Sequence, residues 1–218
     1  MRAVLSNQIL TFLNNHTSFF HSEEEIKLLL AQHLIATGLY DNTFIEYNVN
    51  CDLLPNYPWH NDKRISIDIV VQQNNCFIPI EIKFKTKSQT FPYYVFGSQT
   101  NVQLANQKAK NEGCYSFWKD VKRMEILKER FNLEHSGFVL LISNDSLYQT
   151  QPRQNVQYEP FSIHQNRQVV SGTVLNWNAT RKAIKETRQQ KFPPITLTND
   201  YTISWQDMNL TDHKFILL

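Results

Sequence analysis

One stretch of the chain, RISIDIVVQQNNCFIPIEIKFK at positions 64–85, decides the fold and points to the function. Two runs rich in isoleucine and valine flank Asn74-Asn75, a pair of residues typical of a tight turn. A two-residue turn there sets a register in which Asp68 lies directly opposite Glu81. Because side chains alternate between the two faces of a strand, this register puts both carboxylates on one face. The stretch therefore predicts an antiparallel hairpin that carries two acids at close range.

The same register assigns the other side chains of the hairpin. Ser66 is expected opposite Lys83, on the face of the two acids. The second face is expected to hold the apolar side chains Ile67, Ile69, Val71, Ile78, Ile80, Ile82 and Phe84.

Two neighbouring carboxylates favour a cation between them, because they repel each other when both are ionised. Mg²⁺ prefers oxygen ligands and usually takes one or two protein carboxylates, so Asp68 and Glu81 are candidate ligands. A bound Mg²⁺ polarises a phosphoryl oxygen and makes bound water more acidic. Lys83 can stabilise the charge of the transition state or hold the attacking water. The hairpin is thus a candidate site for phosphodiester hydrolysis.

Other patterns place further elements around the hairpin. Ser22 and Glu25 fit a capping box, and apolar spacing predicts a helix that ends near Gly38. Residues 99–131 are predicted to be helical, in two pieces broken near Gly113. Strands are predicted at 43–49, 64–71, 76–85 and 137–143. The order through residue 143 is helix, three strands, helix, strand.

The last third of the chain has weaker patterns. Short strands are predicted at 168–177, 196–205 and 214–218, with a basic helix at 180–191. No domain boundary is visible. We therefore expect a single domain over residues 1–218, with a core at about 22–143 and a C-terminal elaboration at about 150–218.

Asp68, followed after twelve residues by Glu81-Ile82-Lys83, resembles the PD-(D/E)xK motif of the restriction-endonuclease-like nucleases. The order of helices and strands is also similar to that family's core, an α/β fold. Ile67 precedes Asp68, where the motif's name has a proline. The resemblance implies that Asp68, Glu81 and the main-chain carbonyl of Ile82 hold Mg²⁺, for which Mn²⁺ would substitute, and that Lys83 assists the hydrolytic water. It covers about residues 22–143.

The resemblance implies a DNA endonuclease, and restriction or phage defence is the favoured role. A structure-selective or repair nuclease with the same site is an alternative, as is a non-catalytic nucleic-acid-binding or interaction module. Double-strand cutters of this size in the family often act as homodimers. Many members add an acid from the first helix, and helical phase favours Glu23 for this role. Stabilisation of the helix dipole explains Glu23 equally well, and Glu81 with Lys83 could be a solvated surface pair.

Several basic residues are candidates for contacts with DNA phosphates. Lys85 and Lys87 continue the positive stripe beyond Lys83. Packing explains much of the aromatic and basic helix near residue 117, but some of its cations could face substrate. A second basic cluster lies at 181–191, and a plain solvated helix face is the alternative explanation for it. The predicted nucleic-acid-binding residues are Lys85, Lys87, Lys119, Lys122, Arg123, Arg181 and Lys185.

Composition excludes several classes of protein. Five glycines without a cluster argue against a nucleotide-cofactor loop. No apolar run is long enough for a membrane span, and the first fifteen residues lack the features of a secretory signal. Three scattered cysteines do not form a disulfide framework, so we expect reduced thiols in a cytoplasmic protein.

Overall fold

The structure is a computed structural model that describes residues 1–55, 57–59, 64–107, 109–178, 189–210 and 212–218. It has the expected α/β class, with helices packed on a mixed sheet. The described helices are α1 (Arg2–Asn15), α2 (Glu23–Ala36) and α3 (Lys110–Arg130). The strands are β1 (Asn42–Asn50), β2 (Arg64–Gln73), β3 (Cys76–Lys85), β4 (Gln89–Val95), β5 (Ser98–Leu104), β6 (Phe138–Ser143), β7 (Gln168–Val169), β8 (Val174–Leu175), β9 (Ile195–Thr196), β10 (Tyr201–Thr202), β11 (Gln206–Asp207) and β12 (Lys214–Leu217).

Six strands form the main sheet, in the order β1-β2-β3-β6-β12-β11. β3 and β6 are parallel, and the other neighbours are antiparallel. The chain reaches β6 through α3, which crosses one face of the sheet. The predicted order of helix, three strands, helix and strand is therefore present, with the β4–β5 hairpin inserted before α3.

The β2–β3 register is the predicted one, from Gln73 opposite Cys76 to Ile69 opposite Ile80. The structure describes both strands completely, and it contains no β2–β3 pair beyond Ile69 and Ile80. Two predicted pairs are therefore absent from the register. They are Asp68 opposite Glu81 and Ser66 opposite Lys83. The Asp68 carboxylate accepts the hydrogen bond of the main-chain amide of Ile82 instead, which takes that amide out of the strand ladder.

The break at Asp68 also changes which face the neighbouring side chains occupy. Ile69 and Val71 pack in the core beneath α1 and α2, as predicted for one face. Ile67 packs in the opposite core with Val70, so its predicted place beside Ile69 was wrong. The β1 strand is distorted at the same level, because Glu46 has a left-handed φ of +53° and interrupts the β1–β2 register.

The sheet lies between two cores. α1 and α2 cover one face, and α3 with the C-terminal segments covers the other. Trp118 of α3 joins these segments by donating a hydrogen bond from Nε1 to the carbonyl of Phe161 at 3.0 Å. The short strands β7 to β10 lie in this region. No helix among the described residues combines the length and apolarity of a membrane span.

Two predictions of secondary structure were wrong. Residues 98–104 form β5 instead of a helix, because they pair with β4 along the whole hairpin. α3 is one continuous helix, and Gly113 lies inside its first turn without breaking it. The sequence pattern also failed to predict α1. The basic helix predicted at 180–191 lies largely outside the described residues.

Gly137 fixes the start of β6 against β3. A Cβ atom there would lie 2.6 Å from the main-chain oxygen of Pro79, and a strand carbonyl has little room to move. We expect Gly137→Ala to lower the free energy of unfolding by about 1–3 kcal/mol, measured by urea titration. Lys128→Ala, at an exposed position of α3, is the control and should leave the free energy of unfolding almost unchanged. Equal stability losses in both variants would contradict this account.

Candidate active site

Eight charged side chains meet where β2 and β3 separate. We call this group the charge cluster. They come from α2, β1, β2, β3 and α3, so both faces of the sheet contribute to it. Its members are Glu23, Lys27, Glu46, Asp68, Glu81, Lys83, Asp120 and Arg123.

Asp68 is held from two sides and is only 8% exposed. One carboxylate oxygen lies 2.9 Å from the ammonium of Lys27, and the other accepts the Ile82 amide at 2.7 Å. Lys27 also binds Glu46, which accepts a second hydrogen bond from Ser66. Burial alone would lower the pKa of Lys27, but Glu46 and Asp68 raise it above the usual lysine range. Lys27 is therefore a fixed positive charge beside Asp68.

Glu81 is more deeply buried, at 2% exposure, and binds Arg123. Burial raises the pKa of Glu81 to about 8, in spite of the opposing charge of Arg123. Asp120 and Asp68 push the pKa in the same direction as burial, because nearby carboxylates disfavour another negative charge. A cation at this point would stabilise the ionised form of Glu81.

Lys83 lies between the acids of two helices. Its ammonium is 3.2 Å from an oxygen of Asp120 and 3.7 Å from one of Glu23. It also donates a hydrogen bond to the carbonyl of Ile82 at 3.1 Å. Burial alone would lower the pKa of Lys83, but the charges of Asp120 and Glu23 raise it. Lys83 is thus a hydrogen-bond donor with a permanent charge, and it does not act as a base near neutral pH.

The structure brings Glu23 to the cluster, where helical phase predicted it. Its position in the first turn of α2 follows from the N-cap, since Ser22 accepts a hydrogen bond from the Glu25 amide. One Glu23 oxygen faces Lys83, and the other accepts the main-chain amide of Phe84 at 2.9 Å. Glu23 therefore ties α2 to β3 in addition to any stabilisation of the helix end.

Sequence reasoning missed Lys27 and Asp120. Each had a detectable signal, because each charge lies on an apolar helix stripe. Lys27 follows Glu23 by four residues and precedes the buried Leu30 by three, and Asp120 lies three residues after Phe117.

Asp120 is 2% exposed and is ion-paired through both carboxylate oxygens, with Oδ2 3.2 Å from the Lys83 ammonium and Oδ1 3.3 Å from the Arg123 guanidinium. Within the described part of the chain, Oδ2 accepts no hydrogen bond of good geometry in addition to this charge contact. A buried oxygen of this kind retains a lone pair for a further partner such as water or an ion.

The cluster's charges and atoms suit a hard cation. Five carboxylates against three cationic side chains leave an excess of negative charge when all are ionised. Oxygen donors come from Asp68, Glu81, Asp120 and the carbonyl of Ile82, and Mg²⁺ prefers such donors. In the described ranges, no three of the cluster's carboxylate oxygens come within 4.8 Å of one another as a ready-made site. The donor set fits one or two carboxylates with water completing the shell.

No protein-family model, curated protein or solved structure matches this chain. The function must therefore be argued from the residues of the site itself.

The predicted DNA-binding residues fall in different places. Lys87 is exposed, whereas Arg123 lies inside the charge cluster. Lys122 is bound to Glu125 at 2.9 Å, and Glu125 also accepts the amides of Thr198 and Asn199. Arg181 and Lys185 lie outside the described residues.

Lys85 and Lys119 line one cleft, which we call the lysine cleft. It has a volume of about 390 Å³, and Lys191 and the aromatic rings of Trp59 and Phe192 also line it. The ammonium of Lys119 lies 5.2 Å from the Trp59 ring, and that of Lys191 lies 4.8 Å from the Phe192 ring. Cations beside aromatic faces suit phosphates and bases.

The raised pKa of Glu81 predicts a pH-dependent stability. Between about pH 4.5 and 8, unfolded Glu81 loses its proton while folded Glu81 keeps it. This difference favours the unfolded chain as the pH rises. In EDTA we expect the unfolding free energy of the wild type to fall across this range relative to that of Glu81→Gln. Urea titrations at several pH values measure the difference, and parallel curves for the two proteins would rule out the raised pKa.

Proposed function

We propose that this chain is a Mg²⁺-dependent nuclease that hydrolyses DNA phosphodiester bonds on a restriction-endonuclease-like core. The observation that carries the proposal is the buried group of carboxylates around Lys83, at the point where β2 and β3 separate. Burying this many charges is costly unless they serve a purpose or are fully paired. The motif residues Asp68 and Glu81 lie at the centre of the group.

Asp68, Glu81 and the carbonyl of Ile82 would hold the metal. Asp120, whose Oδ2 atom accepts no well-aligned hydrogen bond in the described structure, would be a further ligand. When bound, Mg²⁺ or Mn²⁺ supplies Lewis-acid polarisation of a phosphoryl oxygen and a more acidic water. Glu81 is a competent ligand when ionised, so its proton leaves as the cation enters.

Lys83 would act as a donor. Its ammonium, held near Asp120 and Glu23, is placed to donate a hydrogen bond to a phosphoryl oxygen or to the oxygen of the attacking water. Arg123 holds Glu81, and Lys27 holds Asp68, so both cations position the acids.

The lysine cleft would guide the substrate to the cluster. Lys85 is two residues beyond Lys83 on β3 and lines the cleft. Burial lowers the pKa of Lys85, against the opposing charge of Glu23, so a phosphate beside it would restore a favourable environment for its charge. Restriction or phage defence is the proposed role, and a repair nuclease would use the same site. A homodimer remains a prediction.

A second candidate function is a non-catalytic module in which the charge cluster is architectural. The observation that favours it is the pairing already present, since Lys27 neutralises Asp68 and Arg123 neutralises Glu81. On this account the cluster fixes α2 and α3 to the sheet and needs no metal. The two functions differ in metal binding and in cleavage.

A cleavage assay on supercoiled plasmid tests the nuclease. We expect wild type to cut with Mg²⁺ or Mn²⁺ and to be inactive in EDTA. Lys83→Ala should lower the rate by at least about 100-fold, because it removes the ammonium placed to donate to a phosphoryl oxygen or to the attacking water. Lys128→Ala, at an exposed lysine of α3, is the matched control and should cut normally.

Isothermal titration with Mn²⁺ separates the two functions. Binding that is lost in Asp68→Asn, together with metal-dependent cutting, supports the nuclease. A folded wild type that neither binds Mn²⁺ nor cuts any DNA substrate would establish the architectural cluster. Discrete fragments would favour restriction, and a smear would favour the repair alternative.

The lysine cleft makes a separate prediction about affinity. Lys85→Ala should weaken DNA binding and reduce the steepness of its salt dependence by about one unit in the log–log plot, since one phosphate contact is lost. Fluorescence anisotropy with a labelled duplex in EDTA measures this without cleavage. Lys128→Ala is again the control. An unchanged salt slope for Lys85→Ala would remove this lysine from the DNA interface.

A further inference from the structure

A second group of potential metal ligands lies at the other end of β3 from the charge cluster. Cys76 is the first residue of β3, and Glu134 and His135 lie in the loop between α3 and β6. A sulfur, a carboxylate oxygen and a ring nitrogen of these residues all lie within 4.8 Å of one another. We propose that Cys76, Glu134 and His135 form a binding site for a zinc ion, separate from the proposed nuclease site.

Local structure holds both segments in place. The turn before Cys76 contains Asn74 in a left-handed conformation, and its amide donates a hydrogen bond to the Asp41 carboxylate. The loop that carries the other two ligands is closed by Gly137, which packs against β3. The carbonyl of Ser136 accepts a hydrogen bond from Arg2 Nε at 3.3 Å. The three ligands therefore need only small side-chain movements to reach one ion.

The types of ligand select the metal. A thiolate and an imidazole are typical zinc ligands and poor magnesium ligands, and a carboxylate completes a common zinc set. Their combined charge, with neutral histidine, balances that of Zn²⁺. Three protein ligands leave one tetrahedral position for water, which is the arrangement of an open site. Glu134 is exposed, so the ion would be accessible from solvent.

Glu134 contacts both of the other proposed ligands when no metal is bound. Its carboxylate lies within 4.8 Å of the Cys76 sulfur. Glu134 also lies 3.2 Å from His135 Nε2, so one carboxylate is shared between two neighbours. A divalent ion would replace these weak contacts and favour the thiolate. Ordinary surface pairing is the competing explanation, and it predicts no stoichiometric metal.

The position suggests a ligand for the open coordination site. Cys76 and Glu134 line a cavity of about 960 Å³, which Phe77, Leu127 and Leu133 also line. An ion beside this cavity would offer a Lewis acid next to a lining of both apolar and amide side chains, which suits a small amphipathic molecule with an anionic end. The metal site is tested first, because the ligand depends on it.

Cobalt(II) is the spectroscopic probe for the experiment. Titration of the full chain with Co²⁺, in excess Mg²⁺, should give a thiolate-to-cobalt charge-transfer band that saturates at one equivalent. Zn²⁺ should abolish the band by displacing Co²⁺. We expect Cys76→Ser to lose the band and His135→Ala to weaken Co²⁺ binding at least about tenfold. Cys51→Ser, at another half-buried cysteine, and Asp68→Asn should keep the band.

Thermal unfolding gives a second readout that does not depend on sulfur. At free Zn²⁺ of about 100 times Kd, the wild-type Tm should rise by roughly 5–10 °C, and that of His135→Ala should rise less. Circular dichroism confirms that each variant is folded. No charge-transfer band at stoichiometric Co²⁺, or a band that survives Cys76→Ser, would overturn the proposal whatever the outcome of the nuclease assays.

Discussion

The hydrogen bond from the Ile82 amide to the Asp68 carboxylate is the interaction on which the rest of the site depends. It takes the place of a strand-to-strand hydrogen bond, so β2 and β3 separate at this point. The separation opens the sheet to side chains from both faces. Glu23 and Lys27 enter from α2, and Asp120 enters from α3. Without this break, the helices would lie on opposite sides of a continuous sheet and their charges would not meet.

The charge cluster combines two tendencies that oppose each other. Burial disfavours the charges of its inner members, yet the cations are held by neighbouring acids so that Lys27 and Lys83 stay protonated. The acids are in excess, and burial together with the nearby charges of Asp120 and Asp68 raises the pKa of Glu81. The excess of negative charge would be offset by a divalent cation. In a purely architectural cluster, the same excess would not contribute to stability.

The sequence was sufficient to predict those parts of the fold and of the site that local patterns control. The turn at Asn74-Asn75 predicted the β2–β3 register as far as Ile69 and Ile80, and helical phase predicted that Glu23 faces the site. The sequence was insufficient to predict those parts whose conformation depends on tertiary contacts. The break at Asp68 depends on a carboxylate that competes with the strand ladder, and alternation alone cannot reveal this. β5 has glutamines at a spacing that also fits a helix, and only its pairing with β4 makes it a strand.

The position of β12 has a consequence for synthesis of the chain. β6 lies in the middle of the sheet, but its outer edge is covered by β12, which follows the whole C-terminal segment. Val139 and Leu218 exchange main-chain hydrogen bonds that complete this cover. A nascent chain therefore contains every residue of the charge cluster before β12 can pair with β6. Until then the apolar edge of β6 is exposed. An unpaired apolar edge is prone to wrong strand pairing, so the chain is most open to misassembly in that interval.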